Sequence, residues 1–165
     1  MKIEKLSAGE QERLRAIRLR SLQDAPDAFS TTLAEAASRG AEDWRRQLAE
    51  LATFVATIEG EDVGIVRAAP HDELDDVGYL ISMWVARRAR RRGVACGLID
   101  ALVHWARDQR WKRLLLDVGE QNAPAIALYR RMGFTPNGVV STLPPPRQQV
   151  REVQMVLVLD SARSG

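Results

Sequence analysis

Apolar residues recur along this chain at two different spacings, and the changes from one to the other divide it into elements. Lys2 to Leu6 is short and alternating, which predicts a first strand. Ser7-Ala8-Gly9-Glu10 has the form of a capping box, with Ser7 at the cap and Glu10 reaching back. The helix it opens carries Leu14, Ile17, Leu19 and Leu22 among Arg13, Arg15, Arg18 and Arg20. It stops near Asp24-Ala25-Pro26, because proline disfavours helical backbone in the residue before it. Asp27 to Gly40 is polar and small, with Phe29 and Leu33 as anchors, and Ala41 to Leu51 predicts a second helix around Trp44 and Leu48. "TFVATI" (53–58) and "VGIVRAA" (63–69) flank Glu59-Gly60-Glu61-Asp62 and predict a β-hairpin.

After a polar loop over 70–76, "YLISMWV" (79–85) is apolar enough to be a central strand. The next helix has the stripe Val94, Leu98, Ala101, Leu102 and Trp105, and 114–118 is a strand. Asn122-Ala123-Pro124 opens a helix with a cap residue and an early proline, and Gly133 is its expected C-terminal glycine. Val139-Val140 and 150–159 finish the sheet around a stiff loop containing Pro144-Pro145-Pro146. The order is β-α-α-β-β-β-α-β-α-β-β, a mixed α/β fold in one domain over residues 1–160, with a frayed tail at 161–165. Strand 79–85, helix 94–109 and strand 114–118 have the form of a parallel crossover unit.

Composition narrows the function classes. The chain has 165 residues, 45% hydrophobic and 28% charged, enough for one real core. A net charge of +2 is too small for a general nucleic-acid field. Arginine far outnumbers lysine, which we read as the coding bias of a GC-rich bacterial genome. One cysteine and two histidines leave no disulfide framework and no ligand set for a metal. The charged N-terminus holds no apolar signal segment and no long apolar run follows, so the expected compartment is the cytoplasm, with no membrane partner.

The basic residues are concentrated in "ARRARRRGVACG" (86–97), between the central strand and the amphipathic helix. First-turn amides of a helix lack intrahelical partners and sit at the positive end of its dipole. Glycine lets backbone approach a diphosphate, and arginines add charge-assisted bonds. No GxxxxGK[ST] and no GxGxxG occurs, so neither a nucleoside triphosphatase nor a Rossmann dehydrogenase fits.

Arg90-Arg91-Arg92-Gly93-Val94-Ala95 matches the R/Q-x-x-G-x-G/A element of the GCN5-related N-acetyltransferases (GNAT), and Asn122, Ala125, Tyr129, Gly133 and Phe134 match that family's N-x-x-A-x-x-x-Y-x-x-x-G-F signature. From about Ile81 to Phe134 the chain resembles the family's acetyl-CoA-binding half. The resemblance implies a mostly antiparallel sheet whose central parallel pair splays open, with flanking helices. It implies acetyl-CoA as co-substrate and no metal. Met83, Trp84 and Val85 would pair with the pantetheine arm, and a backbone N–H there would polarise the thioester carbonyl. Arg90, Arg91, Arg92, Gly93, Val94, Ala95 and Cys96 would hold the pyrophosphate. Asn122 and Ala125 would contact the cofactor, and Tyr129 would protonate the departing thiolate. Arg87 and Arg88 lie ahead of the matched element and are expected to be solvated, and Gly97 is expected to serve close packing.

The resemblance also implies a primary amine acceptor, on a small molecule or a protein N-terminus, and a homodimer through an exposed strand of the last hairpin. Histone-type members place a glutamate early in the central strand, where Tyr79 stands here. Glu35, Asp75, Asp76 and Ser82 (through water) are the substitute bases. Their weakness favours amines of lowered pKa. Acceptor identity should lie in 24–44 and in the 144–149 loop, with Phe29, Trp44, Tyr79 and Trp84 either lining an apolar cleft or filling the core. The alternatives are a catalytically silent acyl-CoA-binding module that regulates a partner, and a nucleic-acid module using Arg87 to Arg92.

Overall fold

A computed structural model describes residues 1–159; the expected tail at 161–165 lies outside them. Seven strands form one sheet in the order β1-β2-β3-β4-β5-β7-β6. They are β1 (Lys2–Lys5), β2 (Ala52–Ile58), β3 (Glu61–Pro70), β4 (Val77–Val85), β5 (Arg113–Gly119), β6 (Thr135–Thr142) and β7 (Arg151–Val158). Every neighbour pair is antiparallel except β4 with β5. That parallel pair needs a crossover, and α4 (Val94–Asp108) supplies it.

The parallel pairing is short. Only Val77, Gly78 and Tyr79 register with Arg113, Leu114 and Leu115. Beyond Tyr79 the strands part, so the expected splay is present. The vertex of the resulting V is tightly closed: a side chain on Gly78 would collide with the Trp111 indole. The Lys112 amide there donates to the Asp76 carbonyl at 2.6 Å. Past the vertex β4 bulges. Its register against β3 gains one residue between Ile81 and Trp84, and Ser82 takes a left-handed φ of +60°. Bulges bend a strand and end its regular pairing, and this one turns β4 from β5.

α4 covers one face of the sheet with Val94, Leu98, Ile99, Leu102 and Ala106 buried. Gly64 of β3 and Gly97 of α4 admit this contact: a Cβ on Gly64 would lie 2.9 Å from the Leu98 Cδ1, and one on Gly97 2.6 Å from the Ile3 Cδ1. Gly97 therefore serves packing. On the other face lie α1 (Gln11–Asp24) and α3 (Ala41–Glu50), burying Leu14, Ile17, Leu22, Trp44 and Leu48. Each of these large apolar side chains contributes roughly 1.5–3 kcal/mol on burial.

Two expectations at helix starts need correction. α1 begins at Gln11, and Ser7 is not its cap: the Glu10 carboxylate accepts from the Ser7 amide at 2.7 Å, but only half of a box forms because the cap is Glu10 itself. The polar segment over 27–40, to which the expected element order gives no helix, contains a short one, α2 (Leu33–Ala37), with a complete capping box between Thr32 and Glu35. Phe29 is anchored as expected, whereas Leu33 is exposed. α5 (Ala123–Arg131) ends two residues before Gly133, whose φ of +98° turns the chain into β6.

Candidate active site

The splayed strands enclose a cleft of about 1120 Å³ that runs from the start of α4 to the segment after α1. At one end the turn into α4 presents bare backbone. Arg91 and Gly93 both adopt left-handed φ, +62° and +78°, forming a concave nest ahead of the helix. No side chain caps α4, and its first intrahelical bond is made by the Gly97 amide to Gly93 at 3.0 Å. The amides before it have no intrahelical acceptor. A Cβ on Gly93 would meet nothing within 4 Å, so that side of the turn is open to a ligand. These features fit a pyrophosphate.

The arginines divide. Arg91 lines the cleft together with Gly93, Val94, Ala95 and Cys96, whereas Arg92 is absent from the lining. Arg90 lines it too, but its guanidinium donates to the Val85 carbonyl at 3.0 Å and to Asp24 at 3.2 Å. Its evident work is to tie the turn to β4 and to the end of α1. Arg87 and Arg88 are exposed and paired with Asp24 and Glu61. Asp24 also accepts from the Trp84 indole at 2.9 Å, so one carboxylate gathers α1, β4 and the phosphate turn.

Along the middle of the cleft, β4 from Leu80 to Val85 faces Leu116 to Gly119 of β5 with no strand between. Met83, Trp84 and Val85 are all in the lining, and β4's edge on that side is free to pair with an extended ligand. The Asn122 Oδ1 caps α5 by accepting from the Ala125 amide at 3.3 Å. That bond leaves its amide nitrogen for the cleft, which Asn122 and Ala125 both line. Tyr129 lines the cleft from α5 and packs edge-on against Phe134 at 5.8 Å. Burial pushes its phenol well above the ordinary value, so it remains protonated through the neutral range.

At the far end the walls are Ala25 to Phe29 on one side and Gln149 to Arg151 on the other. Arg147 joins them: its guanidinium donates to the carbonyls of Pro26, Phe29 and Ser30 at 2.7, 2.9 and 2.8 Å. Of the four aromatic residues considered, Phe29 and Trp84 line the cleft. Trp44 is in the core, and Tyr79 stacks on His71 at 5.6 Å. Among the expected bases only Ser82 lines the cleft, where its hydroxyl accepts from the Arg67 Nε at 2.9 Å. Glu35 is committed to the α2 cap, Asp76 lies 3.6 Å from Lys112, and neither Glu35, Asp75 nor Asp76 is in the lining.

Asp117, like Asp27 and Glu120, is a cleft carboxylate that the sequence reading did not single out. It lines the cleft from β5, two residues beyond the last bonded β4–β5 pair. Burial, followed by the neighbouring Asp117 charge, raises the carboxyl pKa of Glu152 and the phenol pKa of Tyr79. A lone acid in "LLLDVG", out of phase with Leu116 and Val118, was the available signal.

Residues 15–134 match the Acetyltransferase (GNAT) family. The chain belongs to that family. The human N-acetyltransferase 8 is 35% identical over 52% of this chain and 39% of its own length. A mycothiol acetyltransferase of Thermomonospora curvata is 30% identical over 77% of this chain and 42% of its own. The chain thus spans less than half the length of these curated relatives. Among solved structures, the ribosomal-protein-alanine N-acetyltransferase of Brucella melitensis superposes with a TM-score of 0.77 at 23% identity, covering 96% of this chain and 100% of that one. The yncA protein of Salmonella typhimurium, solved with its cofactor acetyl-CoA, gives a TM-score of 0.78 at 18% identity, covering 97% and 94%. At that identity these likenesses establish the GNAT fold. Among the described residues no helix is long and apolar enough to cross a membrane.

Proposed function

We propose that this GNAT protein is an acetyl-CoA-dependent N-acetyltransferase that acts on a primary amine, of a small molecule or a protein N-terminus, by direct attack in a ternary complex. The observation that carries this reading is the continuity of one cleft. It joins a bare phosphate nest, an unpaired β4 edge and a buried tyrosine. When bound, acetyl-CoA supplies an activated acyl group on a thiol leaving group. The nest at Arg91 to Cys96 and the dipole of α4 hold its pyrophosphate. The β4 edge at Met83 to Val85 hydrogen-bonds the pantetheine arm, and an N–H of that edge withdraws charge from the carbonyl oxygen. The nitrogen lone pair of the acceptor forms the new bond to the carbonyl carbon. The carbon–sulfur bond then breaks, Tyr129 gives its proton to the sulfur, and the remaining excess proton on the attacking nitrogen restores the phenol. A phenol near 10 protonating a thiolate near 8.5 is modestly uphill, and burial of Tyr129 adds to that; hydrogen-bond proximity is what makes the transfer feasible.

The acceptor must first lose a proton. Asp27, Asp117 and Glu120 all line the cleft. We assign removal of the acceptor's proton to Asp117, which stands on β5 where it has parted from β4, whereas Glu120 is 3.4 Å from Arg151. A carboxylate is a weak base for an ammonium group. An α-amine near pKa 8 lies about 1.4 kcal/mol from its neutral form at pH 7, against about 4.6 kcal/mol for a lysine-type amine. Amines of the first kind are therefore the expected acceptors. Release of free thiol from acetyl-CoA, followed across a panel of α-amines and ε-amines, tests the proposal. Thiol release that depends on the amine and favours α-amines is expected. Tight acetyl-CoA binding with no release for any amine would replace the transferase with a silent acyl-CoA-binding module.

A further inference from the structure

On the α1–α3 side of β4 stands a group of arginines that the reaction above does not use. Arg18 of α1 and Arg67 of β3 are 3% and 5% exposed, and Arg39 follows α2. Among the described residues none of the three lies within ion-pair distance of a carboxylate, although twelve such pairs occur elsewhere. Their acceptors are neutral and few. Arg67 donates to the Ser82 hydroxyl and, at 2.8 Å, to the Gln47 side-chain carbonyl. Arg18 donates to the Ser21 hydroxyl at 3.3 Å. The Trp44 indole N–H, whose ring lies 5.9 Å from the Arg39 guanidinium, is buried with no acceptor at all. The region has donors and positive charge in excess and no anion to match them.

An arginine stays charged at any physiological pH, and an uncompensated buried charge is strongly destabilising. Burial, with Arg39 and Arg18 adding their repulsion, pushes the guanidinium of Arg67 well down. Burial and then Arg39 push Arg18 down to about 10. Neither side chain is sealed in apolar packing. No nitrogen of Arg18 or Arg67 is both buried and without a partner, so N–H groups lacking a protein acceptor open on space. None of Arg18, Arg39 and Arg67 is itself in the cleft lining, but two of them touch residues that are. Arg67 is bonded to Ser82, and Arg18 lies over the Phe29 ring at 5.1 Å; Ser82 and Phe29 are both cleft-lining residues.

We propose that Arg18, Arg67 and Arg39 bind a carboxylate carried by the acceptor, so that the substrate class is a short primary amine bearing a carboxylate. A planar acid group accepts from guanidinium forks in pairs and neutralises the cluster, which a hydroxyl or amide does not. The inference rests on the transferase reading and deepens it. It also separates this cleft from one built for polyamines, which the same arginines repel.

Two measurements test it. In the first, free amino acids are compared as acceptors with their own carboxamides at about pH 8, with each kcat/KM referred to the fraction of amine that is neutral. The acid is expected to be preferred in kcat/KM by about 10- to 100-fold, the worth of charge-assisted hydrogen bonds. In Arg18→Met that preference should fall to within about 3-fold. Equal use of acid and amide by the wild-type protein overturns the inference. The second measurement needs no turnover. With CoA saturating, N-acetyl amino acids should raise the melting temperature of the wild-type protein and their N-acetyl carboxamides should not. If no amine is acetylated, the transferase reading fails and this melting arm decides alone: a carboxylate-specific rise upholds the anion site, and no rise rejects it. Should Arg18→Met fail to fold, Arg39→Gln, at a half-buried loop position, is read in the same two assays.

Discussion

In the proposed mechanism Tyr129 carries both packing and chemistry. Its ring sits between the cleft and Phe134, and its hydroxyl is the only part whose removal changes reactivity without leaving a large void. In Tyr129→Phe we expect kcat to fall by about 10²–10⁴, the usual worth of a positioned acid. Acetyl-CoA affinity and melting temperature should stay near wild type. Because burial raises the phenol above its ordinary value, the wild-type kcat should show no alkaline fall from Tyr129 ionisation below about pH 10. Unchanged acetylation of every accepted amine by the variant would remove Tyr129 from the mechanism. At this scale the sequence was informative where a residue's job is fixed by spacing. Asn122, Ala125 and Tyr129 recur on one side of a short helix, and the structure brings all three to the cleft. It was uninformative for the arginine run. Five arginines in six consecutive positions can carry charge in any direction, and only the fold reveals that Arg90 turns back to Asp24 while Arg91 faces the cleft.

Elements take their positions from contacts that local sequence does not encode. The start of α4, and with it the phosphate nest, rests on Gly64 of β3: a Cβ there would meet Leu98 at 2.9 Å, Val94 at 3.0 Å and the Trp84 carbonyl at 3.3 Å. Val94 and Leu98 belong to the first turns of α4, and the Trp84 carbonyl to the β4 edge. Gly64→Ala should therefore push the helix start away from β4. We expect acetyl-CoA affinity, measured by titration calorimetry, to weaken about tenfold, with a loss of roughly 1–3 kcal/mol in stability from overpacking. Undiminished affinity would mean that the nest is positioned independently of β3. The strands and long helices were legible because burial on one face imposes a period. α2 was not, since five residues complete barely more than one turn, although its Thr32–Glu35 box was present in the sequence. Ser7 misled for the complementary reason: the residues of a box were there, but the helix started later.

At the scale of the whole molecule, the end of the cleft away from α4 is held together by a side chain from a distant part of the chain. Arg147, in the β6–β7 loop, donates to three carbonyls of the segment that follows α1, joining parts of the chain about 120 residues apart. Those carbonyls belong to an irregular stretch with few regular partners, and a guanidinium is suited to gather several of them at once. The same stretch continues from Asp24, which receives Arg90 and the Trp84 indole, so the clasp at one end and the phosphate turn at the other share a single wall. Arg147 is thus a positioning residue, and its removal should be felt by the acceptor before the cofactor. In Arg147→Gln the three charge-assisted bonds are lost, and the two walls are free to part. We expect KM for the acceptor to rise about tenfold or more, KM for acetyl-CoA to change less than about threefold, and bulkier amines to gain relative to small ones. Arg147→Lys keeps the charge without the fork and should recover only part of the loss. A uniform fall in kcat with both KM values unchanged would instead place Arg147 in the chemistry itself, and an unchanged size preference would show that the walls hold without it.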